Sequence, residues 1–290
     1  MNSEGGEIAS PQLAGQLPQY SCGIPISSVR SGAVSPQEYL DDKSGCVPAV
    51  AAELASGRLK GILFAPTDLE IARITREQTS LGIKNKNELE TRVKLGIKYY
   101  HHKLNVTDPE FGAKALSTIM PTSIDLIGKG IAAYIIVLPE FFNSKFLITD
   151  GDAESALRHD LKHAQDYFRP IQFGKNTISG KDILSGKITL KFYQHVQELR
   201  ACYKQLYDLF EELTKKNTIS MSNDYLGWVA ASYSRYLEYV QRGPKTEFDR
   251  TISQLQLNDA KGITSTITDS GVSLAFNLFG VRQDIVLKYQ

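Results

Sequence analysis

Two histidines four residues apart form a candidate metal site. The segment ALRHDLKHAQ, residues 156–165, places His159 and His163 one turn apart in a predicted helix, so both imidazoles leave the same face. Two ring nitrogens in this arrangement can bind one metal ion at about 2.0–2.1 Å each. Asp160 lies one step around the helix, where its carboxylate could reach a metal-bound water. The alternative is a solvent-exposed helix face that carries His, Asp and Lys without any ligand.

The sequence HDLKH, residues 159–163, resembles the His-Glu-x-x-His motif of the zincin metallopeptidases. In the gluzincin branch of that family a Glu on a later helix is the third metal ligand, and Glu198 in QHVQELRAC fits that place. The resemblance covers about residues 130–240. It implies a Zn²⁺ site with His159, His163 and Glu198 as ligands. It also implies that a metal-bound water attacks a peptide carbonyl, with Asp160 as the general base.

The motif departs from that family at its second position, where Asp160 replaces Glu. Asp is one methylene shorter, which moves the carboxylate by about 1.5 Å. A misplacement near 1 Å can slow a reaction by about 10²-fold. We therefore expect a zinc-dependent, peptidase-like hydrolase that acts on a peptide or protein substrate. A catalytically weak or inactive zincin-like protein that works as a binding module is the alternative.

The helix that carries Glu198 has further metal-competent side chains beside it. His195, Glu198, Cys202 and Gln205 follow one another at spacings of three and four and so share one stripe of the helix. A solvent-facing Glu198 is the alternative interpretation. The family resemblance also implies a group that stabilises the transition state, and His195 is the candidate catalytic residue for that role. Spacing leaves three tyrosines open for the same role: Tyr193, Tyr203 and Tyr207.

The pattern of apolar residues predicts a helix-rich α+β fold, with a zincin-like core and a small mixed sheet preceding the metal-binding helix. Strands are predicted for LKGILF, SIDLIGKG, AAYIIVLP and KFLIT, and a terminal pair for GVSLAFNLF and QDIVLKY. The longer predicted helices cover residues 67–78, 86–104, 152–168, 188–214 and 222–242. Asp150 and Asp152 are the candidate N-caps of the helix that carries the histidines.

These elements suggest a division of the chain into four parts. Residues 1–35 are predicted to be a flexible or irregular segment, which could also occupy the cleft as a pro-segment. Residues 36–130 form a mixed N-terminal part, residues 131–243 the zincin-like helical core, and residues 244–290 a strand-rich tail. The sequence alone leaves open whether residues 1–130 are a separate domain or part of the same fold.

Composition and charge exclude several classes of protein. The 290 residues are 42% hydrophobic, and 33 Lys plus Arg against 32 Asp plus Glu give a formal charge of +1. This balance does not fit a basic nucleic-acid binder, and no apolar run reaches the roughly 18 residues of a membrane span. The N-terminus lacks the apolar centre of a signal peptide, which favours the cytoplasm unless a signal has been removed. We therefore leave the localisation open.

The three cysteines, Cys22, Cys46 and Cys202, are too few for a disulfide framework. Cys22 and Cys46 could still pair in an oxidising compartment. Cys22 is a poor candidate for a catalytic nucleophile, because its irregular segment has no nearby histidine.

Overall fold

The computed structural model describes residues 23–79, 83, 85–108, 113–120, 124–173, 176–216, 220–242, 263–268, 271–278 and 281–288. The helices are α1 (Ile26–Arg30), α2 (Pro36–Cys46), α3 (Pro48–Ala55), α4 (Asp68–Thr79), α5 (Lys86–Asn105), α6 (Glu140–Asn143), α7 (Asp150–Phe168), α8 (Gly180–Leu184), α9 (Leu190–Lys216) and α10 (Asn223–Arg242). The strands are β1 (Leu59–Phe64), β2 (Thr107–Asp108), β3 (Ala113–Lys114), β4 (Ser117–Met120), β5 (Ala133–Val137), β6 (Ile171–Phe173), β7 (Asn176–Ile178), β8 (Ile263–Thr268), β9 (Gly271–Leu278) and β10 (Val281–Lys288).

A small mixed sheet precedes α7, the helix that carries the two histidines. Its strand order is β1-β5-β4, with β1 parallel to β5 and β4 antiparallel to it. Every residue of β5 is buried, as expected for a central strand with an unbroken apolar sequence. The prediction of a helix-rich α+β fold with a small mixed sheet is confirmed. Within the described helices, none is both long and apolar enough to cross a membrane.

The first turn of α7 is held by a capping box. Thr149 is the N-cap, and its side chain accepts a hydrogen bond from the backbone N–H of Asp152, whose carboxylate accepts one from Thr149 in return. The prediction of Asp150 or Asp152 as the N-cap itself is therefore wrong by one to three positions. Asp152 also accepts from the backbone N–H of Ser222 at 2.7 Å, which ties α7 to the start of α10. A Cβ on Gly151 would lie 2.1 Å from the carbonyl oxygen of Ser220, so only glycine permits this approach.

Helix α7 packs between the sheet and α9. It contacts β4 and β5 on one side and α9 on the other, and α9 in turn packs along α10. Apolar side chains recur along α9 at helical spacing, and Phe192, Val196, Leu199 and Leu206 are buried whereas Tyr203 is half-buried. The side chains of Phe210 and Leu213, which continue this spacing, lie outside the described residues. Helices α7 and α9 therefore form a packed pair, with the histidines on the face of α7 that is turned towards α9.

Two predicted strands are wrong, and in each case the backbone hydrogen bonds go elsewhere. In SIDLIGKG, residues Ile124–Leu126 form a 3₁₀ turn, and the N–H groups of Gly128 and Gly130 both donate to the carbonyl of Tyr167 at the end of α7. Gly128 has φ of +79°, which only glycine adopts readily. In KFLIT, the segment is irregular because Ile148 donates to the carboxylate of Asp152.

Other differences lie at the edges of the fold. Strand β4 forms from STIM, a segment for which no element is predicted from the sequence. The predicted terminal strand pair is confirmed, since β9 and β10 pair antiparallel, and β8 adds a third strand. Residues 1–22, including Cys22, lie outside the described residues. The thiol of Cys46 donates to the backbone carbonyl of Asp42.

The described part of the N-terminal segment is packed against the body of the protein. Ile26 is buried in α1, and its backbone N–H donates to the carboxylate of Asp150 at 2.9 Å. The hydroxyl of Tyr39 donates to the same carboxylate at 3.1 Å, and the buried ammonium of Lys43 lies 3.6 Å from it. One cluster of buried apolar side chains extends from Ile26 to Val240. Residues from 26 onwards in the N-terminal part therefore share a core with the helices of residues 131–243.

Candidate metal centre

The side chains of His159, His163 and Glu198 converge between α7 and α9. The Nε2 atoms of the two histidines are 3.0 Å apart. One carboxylate oxygen of Glu198 lies 3.2 Å from Nε2 of His159, and the other lies 3.6 Å from Nε2 of His163. Ligands bound tetrahedrally at about 2.0–2.2 Å from one zinc ion are about 3.3–3.6 Å apart. Two of the three distances fall short of that range, so binding of one zinc ion would require these donor atoms to move apart by about 0.1–0.3 Å. Within the described part of the chain they are the one group of His, Cys, Asp or Glu residues close enough together to hold a metal ion.

Gln205, one turn beyond Cys202 on α9, determines which nitrogen of His159 carries the proton. The side-chain nitrogen of Gln205 donates to the backbone carbonyl of Ser155 at 3.2 Å and to the hydroxyl of Tyr225 at 2.8 Å. A backbone carbonyl can only accept, so the Gln205 amide oxygen must face Nδ1 of His159, which lies 2.9 Å away. Nδ1 therefore donates a hydrogen, and the lone pair of Nε2 points at the other candidate ligands.

Lone pairs of the two Nε2 atoms and of the Glu198 carboxylate lie close together in this arrangement. They repel one another unless a proton or a metal ion lies among them. Burial disfavours a charge on His159, but its hydrogen bonds to Cys202 and Glu198 outweigh that effect and hold its pKa well above the usual value. Burial would raise the pKa of Glu198, but the charge of His163 and hydrogen bonds from both histidines hold that pKa well below the usual value. These directions favour a protonated His159 beside an ionised Glu198 in the absence of a metal, and a metal ion could take the place of that proton.

Substitution of Gln205 is expected to weaken zinc binding without removing a ligand. In Gln205→Met the amide that orients the His159 ring is lost, and we expect zinc affinity to fall by about 10- to 100-fold. Competition with a chromophoric chelator measures this change. Gln165→Met is the matched control, because Gln165 lies on α7 but hydrogen-bonds Glu53 instead of the site. Equal zinc affinity in Gln205→Met and the wild type would show that Gln205 does not orient His159.

Asp160 lies beside the site and is held by the sheet. Its carboxylate accepts a hydrogen bond from the hydroxyl of Ser117 on β4, and its side chain is buried. Burial raises the pKa of Asp160, against the opposing influence of His159 and His163. The side chain lines the same cavity as the three candidate ligands. Asp160, the predicted base, therefore lies at the cavity, on the side of β4, which is an edge strand of the sheet.

His195 lines this cavity but contacts α10. Its ring packs 4.7 Å from the ring of Tyr239 and 6.0 Å from that of Tyr236. Burial, assisted by the charge of Lys191, lowers the pKa of His195, which favours a neutral imidazole near neutral pH. Its role as a transition-state stabiliser stays a prediction.

The three tyrosines that are alternatives to His195 differ in whether they line the cavity. Tyr193 lines the cavity, and within the described contacts its buried hydroxyl has no hydrogen-bond partner. Tyr203 packs against Tyr207 and Tyr233, and neither Tyr203 nor Tyr207 is among the described residues that line the cavity. Of these three, only Tyr193 therefore remains in reach of a bound substrate.

The cavity around the site has a volume of ≈ 770 Å³ and is bounded by the end of α5, by β4, and by α7, α9 and α10. Residues 23–35, the described part of the predicted pro-segment, contribute nothing to its lining. Sequence reasoning missed Gln205 as a partner of His159, although Gln205 was on the predicted stripe. It also missed Ser117 and Tyr225, for which no spacing in the sequence gave a signal.

No protein-family model, no curated protein and no solved structure matches this chain. Its function is therefore argued from the geometry of the site.

Proposed function

We propose that this protein is a zinc-dependent hydrolase of the peptidase type, with His159, His163 and Glu198 as the zinc ligands. The observation that carries the proposal is the convergence of three donor groups close enough together to hold one metal ion, with Nε2 of His159 directed inward by Gln205. Bound zinc would supply a water of lowered pKa and polarise a substrate carbonyl. A surface helix face, the alternative from the sequence, would not gather these side chains at a cavity between two packed helices.

Asp160 is proposed as the general base. Its carboxylate is next in sequence to a ligand, lines the cavity and is oriented by Ser117. A base needs a pKa close to the working pH, and burial shifts the pKa of Asp160 upward, in that direction. The side chain of Asp160 is shorter than the Glu of the zincin motif, and β4 lies close enough for Ser117 to hydrogen-bond it.

An extended peptide is the substrate that the cavity wall suits. In the described sheet β4 pairs with β5 on one side and with no strand on the other, where the carbonyl of Met120 accepts a hydrogen bond from the side chain of Gln78. Peptides commonly bind by adding a strand to such an edge. A peptide along β4 would pass Ser117, and hence Asp160, so the scissile carbonyl would approach the zinc ligands.

Digestion of an unfolded protein tests the proposal. We expect the zinc-loaded protein to cleave unfolded casein, the chelator-treated protein to be inactive, and added zinc to restore cleavage, with products mapped by mass spectrometry. Pre-treatment with a serine-protease inhibitor excludes a contaminant. If the protein binds zinc and cleaves neither casein nor a mixed peptide library, the binding-module alternative replaces the enzyme.

Zinc binding is also expected to be pH-dependent. The pKa of His159 is raised in the metal-free protein, so near neutral pH zinc must displace a proton from Nε2. We expect release of about one proton per zinc, and affinity that falls about tenfold per pH unit as the pH is lowered. Titration calorimetry in buffers of different ionisation enthalpy measures the released proton. Affinity that stays constant between about pH 6 and pH 8 would contradict the protonated His159.

A further inference from the structure

The wall of the cavity outside the metal site is positively charged. Among the described residues that line it, Lys103, Lys114 and Arg235 carry fixed positive charges, whereas the carboxylates are Glu198 and Asp160. Both carboxylates belong to the site, one beside the histidines and the other bound by Ser117. A divalent ion at the site would cancel their charge. The local excess is notable because the whole chain carries a formal charge of only +1.

Two of these cations flank the edge strand. Lys103 is in the last turn of α5, with its ammonium 5.5 Å from the ring centre of Tyr99. The Tyr99 hydroxyl is hydrogen-bonded to Thr118 of β4 at 3.1 Å, which holds this end of α5 beside the strand. Lys114 precedes β4 by three residues, and three residues of extended chain span about 10 Å. A substrate along β4 would therefore pass both ammonium groups close to the site.

Lys114 already has a carboxylate partner, and that pair is weak. Its ammonium lies 3.5 Å from Glu140, and the Lys114 side chain is 52% exposed. Exposed ion pairs contribute little to stability, so a carboxylate from a bound peptide can replace Glu140. The ammonium of Lys114 thus already attracts one carboxylate, that of Glu140, and a substrate carboxylate could displace it.

We propose that the cavity selects peptides that carry a carboxylate, which Lys103 and Lys114 bind beside β4 a few residues from the bond to be cleaved. This inference rests on the proposed peptidase function for the place of the scissile bond, but the charge preference itself is a binding property. The carboxylate is either an Asp or Glu side chain or the C-terminus of the peptide.

Fluorescence anisotropy with matched labelled peptides tests the preference. Three amidated peptides share one unstructured sequence and differ only in carrying Glu, Gln or Lys at the same two positions, and a fourth is the Gln peptide with a free C-terminal carboxylate. Binding is measured on zinc-loaded Asp160→Asn, which should not cleave them, and on metal-free wild type, where no carboxylate can bind zinc directly. We expect the Glu peptide to bind about fivefold to tenfold tighter than the Gln peptide at low salt, and the difference to shrink at high salt.

The double variant Lys103→Gln/Lys114→Gln is expected to lose this preference. The control is Lys94→Gln/Lys98→Gln, which removes the same charge from exposed positions of α5 that do not line the cavity. A gain for the free C-terminus alone would identify the terminal carboxylate as the bound group, whereas a gain for Glu identifies a side chain. Equal binding of all peptides, no binding, a preference seen only with zinc, or an equal loss in the control variant would overturn the proposal. A charge preference in this assay, together with no cleavage of casein by the zinc-loaded wild type, would refute the peptidase function and leave the carboxylate site standing.

Discussion

Purified His163→Ala is expected to contain almost no zinc, whereas the wild type should contain about one zinc per chain, as measured by inductively coupled plasma mass spectrometry. The substitution removes one of three ligands, and the remaining histidine and Glu198 cannot complete a tetrahedral site. His163 is half-buried, and its described polar contacts are with His159 and Glu198, so the loss of its side chain should leave the fold intact. A thermal unfolding curve of the variant checks this directly.

His102→Ala is the matched control for the metal measurement. His102 also lines the cavity but is not part of the three-residue cluster. We expect this variant to retain the full zinc content. If wild type and His163→Ala both lack zinc even after zinc is offered, the cluster is a polar contact between α7 and α9. The proposal of a metal site would then be wrong. If both contain zinc equally, the ion is bound elsewhere.

Asp160→Asn is expected to keep its zinc and lose about 10²- to 10⁴-fold in kcat. Asn can still accept the hydrogen bond from Ser117, so the local packing is preserved, but an amide cannot take a proton from water. Cleavage of a quenched fluorescent peptide measures the rate, and zinc content is measured on the same sample. Rates that match the wild type would exclude Asp160 as the base.

Asp160→Glu keeps the carboxylate but changes its position, so it tests whether that position matters. It restores the motif of the zincins, and it moves the carboxylate by about 1.5 Å. We expect Asp160→Glu to hydrolyse the peptide faster than Asp160→Asn, because only the former retains a base. Equally low rates in both variants, with zinc retained, would show that the position of the carboxylate is required as well as its presence.

The part of the site that lies on one helix was predictable. His159 and His163 meet because residues four apart share a helix face, and this geometry requires no knowledge of the rest of the fold. The same local logic predicts α7, α9 and α10, whose apolar residues recur at helical spacing, and β5, whose apolar run has the length of a buried strand. Local patterns failed where glycines or side chains redirected the backbone, as at Gly128 and in the segment before Thr149.

The N-terminal part of the fold depends on long-range contacts, which the sequence pattern does not indicate. The pairing of β1 with β5 joins residues more than 70 positions apart in the chain, and the carboxylate of Asp150 collects donors from α1 and α2. Charge, composition and periodicity carry no information on these pairings. The sequence therefore left open whether residues before 130 share the core of the later helices, and the structure shows that described residues from Ile26 onwards contribute to it.

The sequence by itself determined the helix with two histidines, the presence of a second helix with an acidic residue, and the absence of the charge pattern of a nucleic-acid binder. The tertiary structure alone decided that Glu198 reaches the histidines, that Gln205 sets the tautomer of His159, and that Ser117 holds Asp160. These contacts join residues 39, 46 and 43 positions apart in the chain. Helix geometry fixes neighbours within a few residues, but contacts at such separations depend on how α7 packs against α9 and the edge strand, which burial of the shared core decides.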